Sequence, residues 1–167
     1  GYTIHSAVHM GRKDAGCVMH THTAAGLGVA TQKSGLLPLT QMALAVIAQT
    51  GYHDYEGPAF DLRERDRLIN DLASNNVLIL RNHGLLTVGK TVAEAFVWLF
   101  RAERACRFQL SFQQAGVPAQ AIPKEVQDIS IERSKKAISA SGHRPIGQFE
   151  WPALIRKLNR ENPGYAE

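Results

Sequence analysis

Apolar residues recur at helical spacing in several separate segments of the chain. The segment TIHSAVHM, residues 3–10, places its apolar side chains on one face, and the turn-forming residues GRKDAG follow it. Thr40 is a candidate N-cap for a second helix that ends at Gly51, and Asp61 is one for a third helix. Each of these helices has one apolar side, so each is predicted to pack against another layer.

Short runs of branched and apolar residues between the helical segments predict strands. These runs are CVMH (17–20), VLILR (77–81) and LLTVG (85–89). The longest helical pattern begins with a capping box, Thr91 and Glu94, and continues to Gly116. Two more helices are predicted, one after Pro123 and one within EWPALIRKLNRENPGY. Because strands alternate with helices, the predicted fold class is a layered α/β domain.

The chain has 167 residues, 44% of them hydrophobic, which is enough for one domain with a sizeable core. Residues 1–167 are therefore predicted to form a single domain, in which residues 117–167 make a helical C-terminal extension. The chain begins at Gly1 instead of methionine, and no signal-peptide pattern follows. We interpret this start as a cut or processed end, with the N-terminal part of the domain upstream of it.

Composition argues against two classes of partner. The longest apolar stretch, MALAVIA at residues 42–48, is far shorter than the roughly 20 residues that span a bilayer, so no membrane association is predicted. The net charge of +4 comes from bases interleaved with acids, so nucleic-acid binding is not predicted. Cys17 and Cys106 lie among apolar residues without paired spacing, which favours reduced thiols and a cytoplasmic location.

Three histidines form the strongest candidate site. In CVMHTHT, residues 17–23, strand alternation places His20 and His22 on the same side, about 6 to 7 Å apart along the strand. This pair alone is a weak signal, because two strand-end histidines bonded to their neighbours would look the same. His83 adds a third imidazole in an Asn-His-Gly turn after a buried strand. Three neutral imidazoles with an open position are the arrangement expected of catalytic zinc.

The remaining histidines have less specific surroundings. His5 and His9 lie one helical turn apart, and we expect one to be packed and the other exposed. His53 lies in YHDYEG, which fits either a solvated loop or a source of acid–base groups for the metal. His143 is predicted to be exposed in a loop rich in serine, glycine and proline. The chain lacks GxGxxG, Walker and GxSxG motifs, so no organic cofactor site is predicted.

Five motifs occur in order along the first two thirds of the chain. They are IHSAVH after Gly1 and Tyr2, CVMHTHT, GLLPLTQMAL, YHDYEG and VLILRNHGLLTVG, and a long helix with an acidic cap follows them to about Gln114. This ordered set resembles the class II aldolase/adducin family, and the EWPALIRKL tail is similar to bacterial adducin-like members. The resemblance implies a three-layer α/β/α sandwich with a central β-sheet, assembled as a homotetramer. It also implies that residues 1–167 are one domain of this family.

The resemblance further implies a metal-dependent reaction. In family enzymes three histidines bind zinc, and by motif these ligands correspond to His20, His22 and His83. The metal polarises a carbonyl group and stabilises the enediolate that remains after a carbon–carbon bond breaks. We therefore expect a zinc-dependent aldolase-like protein of lyase or epimerase type, using Zn²⁺ or another divalent metal. Its substrate would be a small hydroxylated carbonyl compound or a sugar phosphate.

Two departures from the family pattern leave the catalytic residues open. The aldolases carry a glutamate nineteen residues before the first histidine ligand, acting as proton-transferring base, and Gly1 stands there in this chain. A catalytic tyrosine of the aldolases corresponds to about Met42. The phosphate-binding loops of the enzymes lie upstream of residue 1. Tyr52, Asp54 and Tyr55 are candidate replacements if their loop packs near the metal.

Two functional hypotheses follow from these residues. The first is an enzyme whose proton transfer differs from that of the aldolases. The alternative is a non-catalytic adducin-like head that acts as an oligomerisation or binding module. Glycine at position 1 favours the module, whereas the short C-terminus without a long basic tail favours the enzyme. Both hypotheses predict a homo-oligomer, and the first also predicts a small-molecule substrate.

Overall fold

A computed structural model describes residues 1–57, 61–138 and 145–166. The helices in these residues are α1 Tyr2–Gly11, α2 Ala24–Ala30, α3 Gln41–Ile47, α4 Arg65–Leu72, α5 Val92–Gln114, α6 Lys124–Ile138 and α7 Glu150–Glu161. The strands are β1 Cys17–Thr21, β2 Thr50–His53, β3 Val77–Leu80 and β4 Gly84–Gly89. A 3-10 turn, Leu62–Glu64, leads directly into α4.

The strands that the structure describes form one sheet in the order β1-β4-β3-β2. β2 runs parallel to β3, whereas β4 is antiparallel to both of its neighbours. In this register Thr21 pairs with Leu85, Leu80 with Gly84, and His53 with Leu80. The ends of β1 and β2 and the turn between β3 and β4 therefore meet at one edge of the sheet.

Helices cover both faces of the sheet. On one face α2, α3 and α5 pack against Val77, Ile79 and Leu85. On the other face α1 and α4 pack against Leu78 and Leu86, among other residues. Burial of each such leucine contributes roughly 1.5–3 kcal/mol, so both helical layers hold the sheet in place. The predicted three-layer α/β/α fold is confirmed.

Local capping determines where two helices begin. The hydroxyl of Thr40 accepts a hydrogen bond from the backbone N–H of Ala43, and that of Thr91 accepts one from the N–H of Glu94. Both N-caps were predicted from the sequence. The long helix α5 ends just before Gly116, whose positive φ of 63° suits a glycine after a helix.

The segment after Thr40 is a correction to the sequence analysis. The helix ends at Ile47 instead of reaching Gly51, and residues 50–53 form strand β2. A further helix, Ala24–Ala30, was not predicted, because its two glycines weaken the helical signal. Strand β2 was missed because its partner β3 lies more than twenty residues further along the chain, beyond the reach of local patterns.

The C-terminal helices lie on the outside of the fold. α6 packs on α3 and α7 on α5, where the rings of Phe96 and Trp151 meet edge to face at 5.4 Å. Neither helix has a fully buried residue. Within the described residues, no helix combines the length and apolar character needed to cross a membrane.

Candidate metal centre

The three predicted histidines lie together at the edge of the sheet where β1 ends. The ring centroids of His20 and His22 are 4.6 Å apart, and His83 lies 4.8 and 4.9 Å from them. One ring nitrogen from each histidine lies within 4.8 Å of the other two. His20 belongs to β1, His22 follows its last residue, and His83 lies in the turn between β3 and β4.

The turn around His83 depends on unusual backbone conformations. Asn82 and Gly84, on either side of the histidine, have positive φ angles of 56° and 148°. A Cβ atom on Gly84 would lie only 2.3 Å from the carbonyl oxygen of Thr21, so a side chain there would push β4 away from the end of β1. Glycine at this position therefore brings His83 close to the other two histidines.

Burial favours neutral imidazoles at this site, and a hydrogen bond fixes the tautomer of one of them. Nδ1 of His20 donates to the carbonyl oxygen of Leu85 at 2.9 Å, which leaves Nε2 with a free lone pair. Burial lowers the pKa of His20 to about 4. Burial, followed by the neighbouring His22, also lowers the pKa of His83. His20 and His83 are therefore neutral at pH 7, the state in which imidazole binds metals.

The spacing of the ring nitrogens suits a single small cation. Nε2 of His20 and Nε2 of His22 are 2.7 Å apart, and the widest separation in the group is within 4.8 Å. Tetrahedral zinc with bonds of about 2.0–2.1 Å would hold imidazole nitrogens roughly 3.3 Å apart. The separations bracket this value, and the exposed side of His22 leaves room for another ligand.

Neither position at which the family enzymes transfer protons carries a suitable group. Gly1 is the N-cap of α1, and a Cβ atom built there would meet no atom within 4 Å. Met42 is half-buried in α3 and has no ionisable atom. The thiols do not replace them, because burial raises the pKa of Cys106 to about 12 and also raises that of Cys17.

His53 is buried, which excludes the first of its two alternatives, a solvated loop. It is the last residue of β2 and only 4% exposed. Its Nδ1 lies 2.7 Å from Oδ2 of Asp71, and its Nε2 lies 3.2 Å from Oε1 of Glu64. Glu64 is itself only 6% exposed. The sequence analysis missed this buried carboxylate, because nothing in its local pattern distinguishes it from the charged residues around it.

The other described histidines are not members of the group of three. His5 is half-buried and His9 exposed, as expected for one packed and one exposed histidine on α1. Burial lowers the pKa of His5. His9 lies with Nδ1 3.2 Å from the carbonyl oxygen of Ala15. His143 lies outside the described residues.

The chain is similar to one described family and to several known proteins. Residues 1–110 match the family described as Class II Aldolase and Adducin N-terminal domain. A Pseudomonas aeruginosa protein with a class 2 aldolase name is 47% identical over 173 residues, covering all of this chain and 64% of the relative. Alpha-adducin of Rattus norvegicus is 39% identical over 173 residues, covering 99% of this chain and 23% of the adducin.

Solved structures agree with these relatives. An aldolase II superfamily protein from Pseudomonas syringae superposes with a TM-score of 0.89 at 45% identity, covering all of this chain and 65% of that one. L-fuculose 1-phosphate aldolase from Glaciozyma antarctica PI12 has a TM-score of 0.73 at 24% identity, over 96% of this chain and 58% of that one, which shows a shared fold.

The chain thus spans about two thirds or less of the length of these relatives. The family model nevertheless covers well over half of the chain, and members of the family generally use a divalent metal. The resemblance predicted from the ordered motifs is confirmed, and the chain belongs to the class II aldolase and adducin family.

Proposed function

We propose that this protein binds one zinc ion through His20, His22 and His83 and catalyses an aldol-type reaction. The reaction class is that of an aldehyde-lyase or epimerase acting on a small hydroxylated carbonyl compound or sugar phosphate. One observation carries the proposal: three imidazole nitrogens lie within 4.8 Å of one another in a member of a metal-using family. An all-imidazole set favours zinc among the common divalent metals.

The chain's own residues would prepare the site for this chemistry. When bound, the metal would polarise a carbonyl oxygen and stabilise the negative charge that develops on it. The carbonyl oxygen of Leu85 fixes the ring of His20 and directs Nε2 toward the other two histidines. His22 is exposed, so substrate can approach from its side.

Two observations favour a second candidate function, that of an adducin-like binding module without catalysis. Gly1 and Met42 supply no proton-transferring group, and alpha-adducin is 39% identical over nearly the whole chain. In that case the histidines would hold a metal with a purely structural role. The two functions differ in turnover, not in metal content.

An assay of metal-depleted and zinc-reloaded protein tests the proposed reaction. Hydroxyketones, hydroxyaldehydes and their phosphate esters would be offered for carbon–carbon cleavage, with aldehyde release as the readout. We expect turnover that disappears after chelation and returns with zinc. Turnover that is unaffected by chelation would contradict the metal-dependent mechanism, whereas a zinc-loaded protein inactive on every compound would favour the binding module.

The domain organisation and location are part of the same proposal. We propose that residues 1–167 belong to one domain, with residues 117–167 as its helical extension, because α6 and α7 pack on α3 and α5. Both cysteines are free thiols, which supports a reducing, cytoplasmic compartment.

Self-association is expected from one face of α5. Phe100 and Phe108 are 49% and 41% exposed, and the guanidinium of Arg104 lies between their rings at 5.5 and 5.3 Å. Exposed aromatic residues beside arginine are typical of interface centres. We expect light scattering to show a tetramer that Phe108→Glu weakens, while Val117→Glu, at an exposed position outside α5, leaves it intact. A monodisperse monomer at micromolar concentration would contradict this prediction.

A further inference from the structure

The loop after β2 places one aromatic side chain beside the histidine group. The ring of Tyr55 meets that of His83 edge to face, with 6.5 Å between the centroids and 77° between the planes. Tyr55 is 54% exposed, so its ring borders both the histidine and solvent. A small molecule bound to a metal on His83 would therefore lie close to this tyrosine.

The residue where this loop leaves the sheet is held firmly. His53 is buried at the end of β2, and both of its ring nitrogens face carboxylates, one from Asp71 on α4 and one from Glu64 before α4. Backbone pairing with β3 also fixes it, because the N–H of Arg81 donates to its carbonyl oxygen at 2.8 Å. The end of β2, from which the loop with Tyr55 begins, is thus attached to both the sheet and the helix α4.

The charged neighbours of Tyr55 are engaged with arginines. Both carboxylate oxygens of Glu56 accept hydrogen bonds from Arg67, one of them at 2.5 Å. Asp54 pairs with Arg81 at 3.4 Å. These four residues line a polar cavity of about 460 Å³ that does not include Tyr55 among its lining residues. The charged side chains of the loop therefore line this cavity, whereas Tyr55 is not part of its lining.

Elimination leaves Tyr55 as the proton-transferring group among the sequence candidates. Tyr52 accepts a hydrogen bond from the N–H of Leu36 at 3.0 Å and stacks under Arg81, and burial raises its pKa. Asp54 is exposed and paired with the same arginine. Within the described part of the chain, no hydrogen bond engages the Tyr55 hydroxyl, which leaves it available to a substrate.

We infer that Tyr55 is a catalytic residue whose hydroxyl exchanges a proton with the substrate oxygen; the inference rests on the proposed function. In the synthesis direction, the aldehyde oxygen gains negative charge as the new carbon–carbon bond forms. The O–H bond of Tyr55 breaks and the proton forms the O–H bond of the product alcohol. The donor carbon releases one proton to solvent when it forms the enediolate, and the phenolate takes one proton back from solvent, so no net proton is consumed; cleavage runs through the same transfers in reverse.

Tyr55→Phe in the zinc-loaded protein tests this role, with Tyr165→Phe, exposed near the C-terminus, as the matched control. Zinc content should stay at about one ion per chain in both variants. Glycolohydroxamate, a planar anion that can bind zinc through two oxygens, should bind about tenfold more weakly to Tyr55→Phe in calorimetry, because one hydrogen bond to a charged group is lost. Turnover should fall by roughly 10² to 10⁴ with little change in KM.

The outcomes distinguish a role of Tyr55 toward the substrate from a role in metal binding. Wild-type hydroxamate affinity and turnover in Tyr55→Phe would overturn the inference and leave the proposed function standing. Loss of zinc from Tyr55→Phe would also overturn it, because the tyrosine would then support the histidines instead of the substrate. Wild-type protein that binds no zinc would overturn the proposed function, and the role of Tyr55 with it.

Discussion

Replacing His20, His22 or His83 by alanine, one at a time, should reduce bound metal from about one zinc ion per chain to nearly none. The three ring nitrogens are the only histidine, cysteine or carboxylate atoms of the described residues that group closely enough to hold one ion. A site reduced from three protein ligands to two competes poorly with water. Elemental analysis of protein purified without chelators, followed by dialysis, measures the change.

His9→Ala is the matched control for these variants. His9 is exposed on α1 and stands outside the group of three, so its replacement should leave the zinc content unchanged. Circular dichroism should show the same fold in all four variants, because none of the four side chains belongs to the buried core. Equal zinc content in wild type and all three site variants would remove the basis for the proposed metal site.

Introducing glutamate at position 1 should raise turnover of the zinc-loaded protein by as much as roughly 10² to 10⁴, the usual contribution of a positioned general base. The resemblance to the family implies that this position corresponds to the proton-transferring glutamate of the aldolases. A Cβ atom there would meet nothing within 4 Å, so a longer side chain has space at this position.

Gly1→Gln separates proton transfer from packing, because glutamine has nearly the same shape and cannot accept a proton. Steady-state kinetics should show a gain in kcat for Gly1→Glu alone. An equal gain in both variants would contradict a role for the carboxylate as base. No gain in either variant would show that the rest of the pocket does not bring substrate to this position.

Local patterns were sufficient for the parts of the site that depend on neighbours in sequence. Strand alternation places His20 and His22 on one side of β1. The Asn-His-Gly turn could be identified because positive φ angles on both sides of His83 are tolerated by asparagine and glycine. The ordered motifs then indicated the family and its α/β/α fold, both of which are confirmed.

Features that depend on distant partners could not be predicted in this way. Strand β2 exists because TGYH pairs with β3, although its glycine and short length give a weak strand signal. Glu64 is buried because His53 lies opposite it, eleven residues away along the chain. The position of Tyr55 beside His83 likewise depends on the pairing of β2 with β3, which local sequence patterns do not reveal.

Anomalous X-ray scattering, measured above and below the zinc absorption edge on crystals grown with zinc, tests the central claim most directly. The account predicts one strong zinc peak per chain, about 2.0–2.1 Å from a ring nitrogen of each of His20, His22 and His83. An ordered triad with no peak between the rings, or a peak bound elsewhere on the chain, would contradict it.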